Sequence, residues 1–204
     1  MLQIVTVRLM LLVVQDLFEH RDVTGMRERL RMTRAQYAAL TEQGLFSPDE
    51  RCELIDGEVV ARAPIGDRHA VVVNRLLRVL IEGIPDTEGM VGCQSPVALS
   101  AWSMPEPDCW VSDEHLYRVG HPRRTTLVVE VADSSLRYDL TRKAQIYADA
   151  GVPDYWVVDL QHDLVVMHRQ PADHGYAVVT EHRAGSIVPL RHPRVTVDVG
   201  LLLR

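Results

Sequence analysis

The chain has 204 residues, 22 Lys and Arg against 28 Asp and Glu, a formal net charge of −6 and 47% hydrophobic residues. That mixture excludes wholesale disorder, and the length suits one core-bearing domain with an appendage. The acidic balance argues against a protein that coats nucleic acid without specificity, but not against a nuclease, whose metal-binding carboxylates are themselves negative.

Residues 1–31 read as an appendage, with the domain expected over 32–204. Leu9 to Val14 is an apolar run between Arg8 and Asp16, far short of the ~20 residues that span a bilayer. The early sequence lacks the basic start and small-residue cleavage site of a signal peptide. Arg21, Arg27, Arg29, Arg31 and Arg34 then crowd together, as on an amphipathic helix for a partner or an anionic surface. The competing expectation is an irregular extension, with Met26 or Met32 as the true start.

Along the domain, Thr33 suits a helix N-cap before Ala35 to Glu42. Cys52 to Ile55 and Glu58 to Ala61, around Asp56-Gly57, predict a hairpin. Asp67 is expected to cap a helix from Arg68 to about Ile81, with Val72, Val73, Leu76, Leu77 and Leu80 at helical spacing. Met90 to Leu99, Asp108 to Val111 and Thr125 to Ala132 read as strands. A helix from Arg137 to Ala150 follows, capped by Ser134 or Ser135 and ended by Gly151. Tyr155 to Leu160, Leu164 to Arg169, Ala177 to His182 and Val195 to Val199 read as further strands. This order predicts a mixed α/β or α+β domain.

Cys52, Cys93 and Cys109 include no CxxC pair, and an odd count makes no disulfide framework. Reduced thiols in a cytoplasmic protein are expected. The 22 basic residues are 21 arginines and one lysine, Lys143. An isolated Lys points to a place where a compact ammonium is needed and a broad guanidinium fork is not.

Three residues carry the chemistry. Glu130 interrupts the apolar run Leu127-Val128-Val129-Glu130-Val131, and a carboxylate in a buried strand is normally paired or bound to metal. A strand face open to water, or a structural ion pair with an arginine, is the plainer reading. Asp108 ends Pro105-Glu106-Pro107-Asp108, where two prolines fix the approach; a turn residue is its plainer reading. Lys143 shares a helix face with Asp139 and Tyr147, which a surface ion pair would also explain. Together, two acids and a lysine suit metal-dependent phosphodiester hydrolysis. Mg²⁺ takes hard oxygen ligands, activates water and neutralises phosphate charge, and a lysine can hold that water or stabilise the developing charge.

These residues sit in strings that resemble a known family. Thr33-Arg34-Ala35-Gln36-Tyr37, Glu53-Leu54-Ile55-Asp56-Gly57-Glu58, His69, Pro107-Asp108, the Glu130 strand, Asp139-Leu140, Lys143, Tyr147 and Gly151-Val152-Pro153-Asp154-Tyr155-Trp156-Val157-Val158-Asp159 resemble the Uma-two type of restriction-endonuclease-like protein, within the PD-(D/E)XK nuclease superfamily. The resemblance covers roughly residues 33–200. It implies a restriction-endonuclease-like core with a mixed central β-sheet flanked by helices. It implies a metal-dependent DNA endonuclease whose Asp108 and Glu130 hold Mg²⁺, or Mn²⁺ in its place, with the Val131 carbonyl as a further ligand. The superfamily's usual lysine position, two residues after the second acid, is Ala132 here, so the lysine function falls to Lys143. Relatives often read Ser-Pro-Ser-Thr after the acidic strand, where this chain has Asp133-Ser134-Ser135.

Glu53 is a candidate further acid and His69 a candidate proton shuttle or supporting group, with Asp139 and Tyr147 as additional site residues. The remaining histidines, among them His115, His121, His162 and His168, show no zinc spacing and read as surface. Trp156 reads as core, and Trp110 as a candidate cleft wall. Arg118, His121, Arg123 and Arg124 make a basic loop suited to phosphate contact or to solvent. The expected partner is DNA, with no membrane, and a homodimer is expected because two sites cut two strands. The alternative function is a catalytically inactive nuclease-fold module that binds nucleic acid or a protein.

Overall fold

The structure, a computed structural model, describes residues 31–46, 51–114 and 120–204. The expectations for the first 30 residues, for His115 and for Arg118 lie outside the described residues.

Helix α1 (Arg34–Glu42) begins at a capping box. The Thr33 hydroxyl accepts from the Gln36 N–H, and the Gln36 side chain accepts from the Thr33 N–H. The hairpin forms as expected from β1 (Cys52–Ile55) and β2 (Glu58–Ala61). Asp56 and Gly57 have φ of 50° and 83°, the double positive φ of a type I′ turn. A side chain at Gly57 would also collide with Arg31, whose Cβ lies 2.6 Å from the ideal Cβ position.

Helix α2 (Asp67–Gly83) starts one residue earlier than expected, with Gly66 at the N-cap and no side-chain cap. Its buried face is Val72, Val73, Leu76 and Leu80, each contributing roughly 1.5–3 kcal/mol by burial. The central sheet has six strands in the order β3 (Met90–Cys93), β4 (Cys109–Ser112), β5 (Leu127–Ala132), β6 (Asp154–Asp159), β7 (Leu164–Ala172) and β8 (Gly175–His182). All neighbours are antiparallel except β5 and β6. That parallel pair needs a crossover. It is the helical run α3, made of Leu136–Tyr138, a π-turn at Asp139–Lys143 and Ala144–Asp149. Two short strands, β9 (Ser186–Ile187) and β10 (Val197–Asp198), and helix α4 (Val199–Leu203) close the chain.

Side-chain alternation splits β5 between two cores. Leu127, Val129 and Val131 pack with α2 and α4 on one face, while Val128 and Ala132 pack with Tyr147, Ala144 and Ile146 of α3 on the other. Glu130 therefore points toward α3. β3 is shorter than the expected run to Leu99, because Gln94 turns to φ 44° and Ser95-Pro96 follows. The expected last strand is also shorter. The Asp198 side chain accepts from the Leu201 N–H and turns the chain into α4.

Two expectations are corrected. His168 is buried on β7 between the rings of Tyr155 and Tyr176, with centroids 5.3 and 5.6 Å away; burial holds its pKa below the usual value. Trp110 is a core residue and no cleft wall. Its indole N–H donates to Ser95, and its ring fills the space beside Gly92, where an added Cβ would come within 2.0 Å of the ring. Trp156 is in the core, as expected.

Candidate functional site

Asp108 stands just ahead of β4, with Glu130 across from it on β5. A rigid approach and a central strand thus deliver two carboxyls that are 1% and 2% exposed. Asp108 Oδ2 accepts from the Val131 N–H at 2.8 Å and lies 3.0 Å from His69 Nε2. Oδ1 takes the longer contacts, 3.2 Å from Arg62 and 3.4 Å from Gln94. Burial would raise this carboxyl's pKa, but the His69 contact, the Val131 N–H and the Arg62 charge hold it below the usual range. In an extended strand a residue's N–H and C=O face the same neighbour, so the Val131 carbonyl also faces the Asp108 side.

Glu130 is held from α3. Lys143 Nζ donates to its Oε1 at 2.9 Å and Tyr147 OH donates to the same oxygen at 2.7 Å. Both contacts fall on Oε1. Lys143 also pairs with Glu53 Oε1 at 3.1 Å and lies 3.9 Å from Asp139. Glu53 comes from β1 of the hairpin, where its Oε2 accepts from the Glu106 N–H. Burial pushes the Glu130 carboxyl up to about 8, against the pull of Lys143. Lys143 is pushed up: burial opposes its charge, but Glu130, Glu53 and Asp139 outweigh it and keep the ammonium protonated.

Asp139 and Lys143, four residues apart and so on one face, are both buried within the π-turn. The Ala144 N–H reaches back to the Asp139 carbonyl, widening the turn. The Tyr155 hydroxyl donates to that same carbonyl, and Ser135 Oγ donates to the Asp139 carboxylate. Burial raises the Asp139 pKa despite Lys143.

Every residue singled out from the sequence as a site candidate borders one cavity of ≈ 370 Å³, apart from Tyr147, which reaches it through Glu130. Arg62 escaped the sequence reading. It donates to Asp108 and pairs with Glu106 at 3.5 Å. The signal was available in the hairpin register: Glu53 pairs with Val60, so alternation puts Arg62 on the face of Glu53. Gln94 left no signal, because its position depends on a left-handed backbone that propensity does not report. The basic loop lies elsewhere. Arg124 pairs with Glu114, while His121 and Arg123 line a second cavity with Arg34.

The donor set suits a hard divalent cation. Glu53, Asp108, Glu130 and Asp139 are four buried carboxyls facing three permanent cations, Arg62, Lys143 and the half-buried Arg51, which leaves one negative charge in excess when all are ionised. Among the described residues no three His, Cys, Asp or Glu side chains form a ready-made metal cage. Mg²⁺ does not require one, since it binds through one or two carboxylates and keeps several waters.

Among the described residues, no helix is long and apolar enough to cross a membrane. No curated protein matches the chain. A solved structure, described as a putative nuclease belonging to DUF820 from Anabaena variabilis, superposes with a TM-score of 0.68 over 84% of this chain and 97% of that chain, at 12% identity. That likeness establishes the fold. The family model for Uma2, "putative restriction endonuclease", matches residues 34–198. Those residues include the hairpin, the sheet and every carboxyl of the cavity, and the chain belongs to the Uma2 family.

Proposed function

We propose that the protein is a metal-dependent DNA endonuclease that hydrolyses phosphodiester bonds at this cavity. The observation that carries the reading is a buried excess of carboxyls gathered around the chain's one lysine. Asp108, Glu130 and the Val131 carbonyl are the groups that would hold Mg²⁺ or Mn²⁺. Asp108 Oδ1 makes only the longer contacts and Glu130 Oε2 none with Lys143 or Tyr147, so each carboxyl keeps an oxygen available to a cation. A bound divalent cation supplies an acidified water and neutralises charge on the phosphate.

The chain's own residues do the rest. Lys143 keeps its proton and can donate it as a hydrogen bond to the attacking water or to a non-bridging phosphate oxygen. Glu53 and Asp139 keep that ammonium charged and limit its swing. Tyr147 fixes the rotation of the Glu130 carboxyl. His69 and the Val131 N–H fix Asp108.

Supercoiled plasmid incubated in Mg²⁺ and then Mn²⁺ tests the reading. Wild type is expected to nick it, and Asp108→Ala and Lys143→Ala are each expected to lose about 10²–10³ in rate. Cleavage surviving in both variants would place the activity elsewhere. Oligonucleotide binding by wild type with no cleavage in either metal would favour the inactive binding module.

A further inference from the structure

One cation on the cavity wall takes no part in the network above. Arg51 precedes β1, and its carbonyl accepts from the Arg62 N–H at 2.7 Å. The next pair in the ladder is Cys52 with Ala61, so Arg51 and Arg62 stand directly opposite each other across the hairpin. Alternation puts both, with Glu53, on the face that lines the cavity. Like charges directly opposed on one face destabilise a hairpin.

The two guanidiniums are not equivalent. Arg62 is nearly buried and spends its donors on Asp108 and Glu106. Arg51 is half-buried and, among the described residues, its guanidinium makes no hydrogen bond or ion pair. The other permanent cations of the cavity wall are engaged: Arg62 on Asp108 and Glu106, and Lys143 on Glu53 and Glu130. Burial and the nearby Arg62 charge depress the Arg51 pKa and outweigh the charges of Glu106, Asp108 and Glu53, so the carboxylates around it do not fully compensate this cation. Arg51 therefore presents a fork of donors at the rim, beside the carboxylate that would hold the metal. That geometry matches a phosphate.

We propose that Arg51 is a substrate-binding residue that seats a backbone phosphate of the DNA at the rim of the cavity, next to the phosphate undergoing hydrolysis. The inference rests on the nuclease reading and adds which residue grips the substrate outside the reacting group. It makes binding, and not the chemical step, the property that Arg51 governs.

The test compares wild type, Arg51→Ala and Arg51→Lys. Binding of a short fluorescein-labelled single-stranded oligodeoxynucleotide is followed by anisotropy over a salt series in Ca²⁺, and plasmid nicking is followed in Mg²⁺. Arg51→Ala is expected to bind about tenfold more weakly and to lose about 0.7 from the salt slope, the share of one phosphate contact on a single strand. Its nicking defect is expected in KM and not in kcat, with partial recovery in Arg51→Lys. Its melting temperature is expected to stay level or rise, because a like-charge pair is relieved; a structural role would lower it. An unchanged affinity and salt slope in Arg51→Ala, with wild type still nicking plasmid, would overturn the Arg51 assignment and leave the nuclease standing. A wild type that binds no oligonucleotide at any salt concentration would overturn both.

Discussion

Replacing Lys143 with methionine isolates the electrostatics of the site from its catalysis. The ammonium is 4% exposed and lies 2.9 Å from Glu130, 3.1 Å from Glu53 and 3.9 Å from Asp139. Methionine keeps most of the stem's packing but leaves three carboxyls without their shared cation. Breaking a buried ion pair from one side costs ~3–5 kcal/mol. At roughly 2–4 °C per kcal/mol for a chain of this size, Lys143→Met should melt about 6–20 °C lower. The loss should depend on pH. Burial already raises the Glu130 and Asp139 carboxyls against the pull of Lys143; without Lys143 these two ionise in the fold at a still higher pH, so the variant binds more protons folded than unfolded. Its stability then falls as pH rises from about 5 to 8. Thermal unfolding by circular dichroism in EDTA at both pH values is the assay. A melting temperature within about 2 °C of wild type at pH 8, or an equal loss at the two pH values, would refute the reasoning.

Glu130→Gln removes a carboxyl that the fold holds at about 8 against an ordinary 4.5. A raised pKa contributes stability that is complete below 4.5 and lost as pH rises through 8, so metal-free wild type should weaken between about pH 5 and 8. The Gln variant should show a flatter profile and a higher melting temperature at pH 9; the same slope in both would contradict the assignment. Tyr147→Phe deletes the 2.7 Å bond to Glu130 Oε1. It should cost ~1–1.5 kcal/mol of stability in urea unfolding and lower plasmid nicking about 10-fold or more, since Glu130 loses its fixed rotation. Gly92→Ala places a Cβ 2.0 Å from the Trp110 ring. Overpacking of ~1–3 kcal/mol should appear as a lower melting temperature and altered tryptophan fluorescence, and a silent substitution would contradict the packing.

The fold was legible where one local rule dominated. The hairpin followed from Asp56-Gly57, α2 from its apolar spacing, and β5 from a continuous apolar run with one acid in it. Legibility failed where the deciding contact came from elsewhere in the chain. His168 reads as polar, but the Tyr155 and Tyr176 rings enclose it. Met90 to Leu99 reads as one strand, but its pairing ends at Cys93, where the backbone of Gln94 turns left-handed. Asp198 reads as part of a strand, while its carboxylate caps a helix.

At the site, residue type and spacing singled out Asp108, Glu130 and Lys143, and the structure brings them together with Glu53, His69 and Asp139. The helix spacing of Asp139, Lys143 and Tyr147 suggested a shared face, but not the π-turn in which the first two lie. Arg62 was recoverable from hairpin alternation and Gln94 was not. The partner of a buried carboxylate is set by tertiary packing, which single-residue chemistry does not encode.

The buried excess of negative charge is expected to seat one divalent cation. Calorimetric titration of Mn²⁺ into wild type and Asp108→Ala at pH 7.5, with folding checked by circular dichroism, tests that most directly. The expected result is saturable binding of one ion per chain in wild type, weakened at least about tenfold in Asp108→Ala. No binding by wild type, or equal binding by the variant, would contradict it.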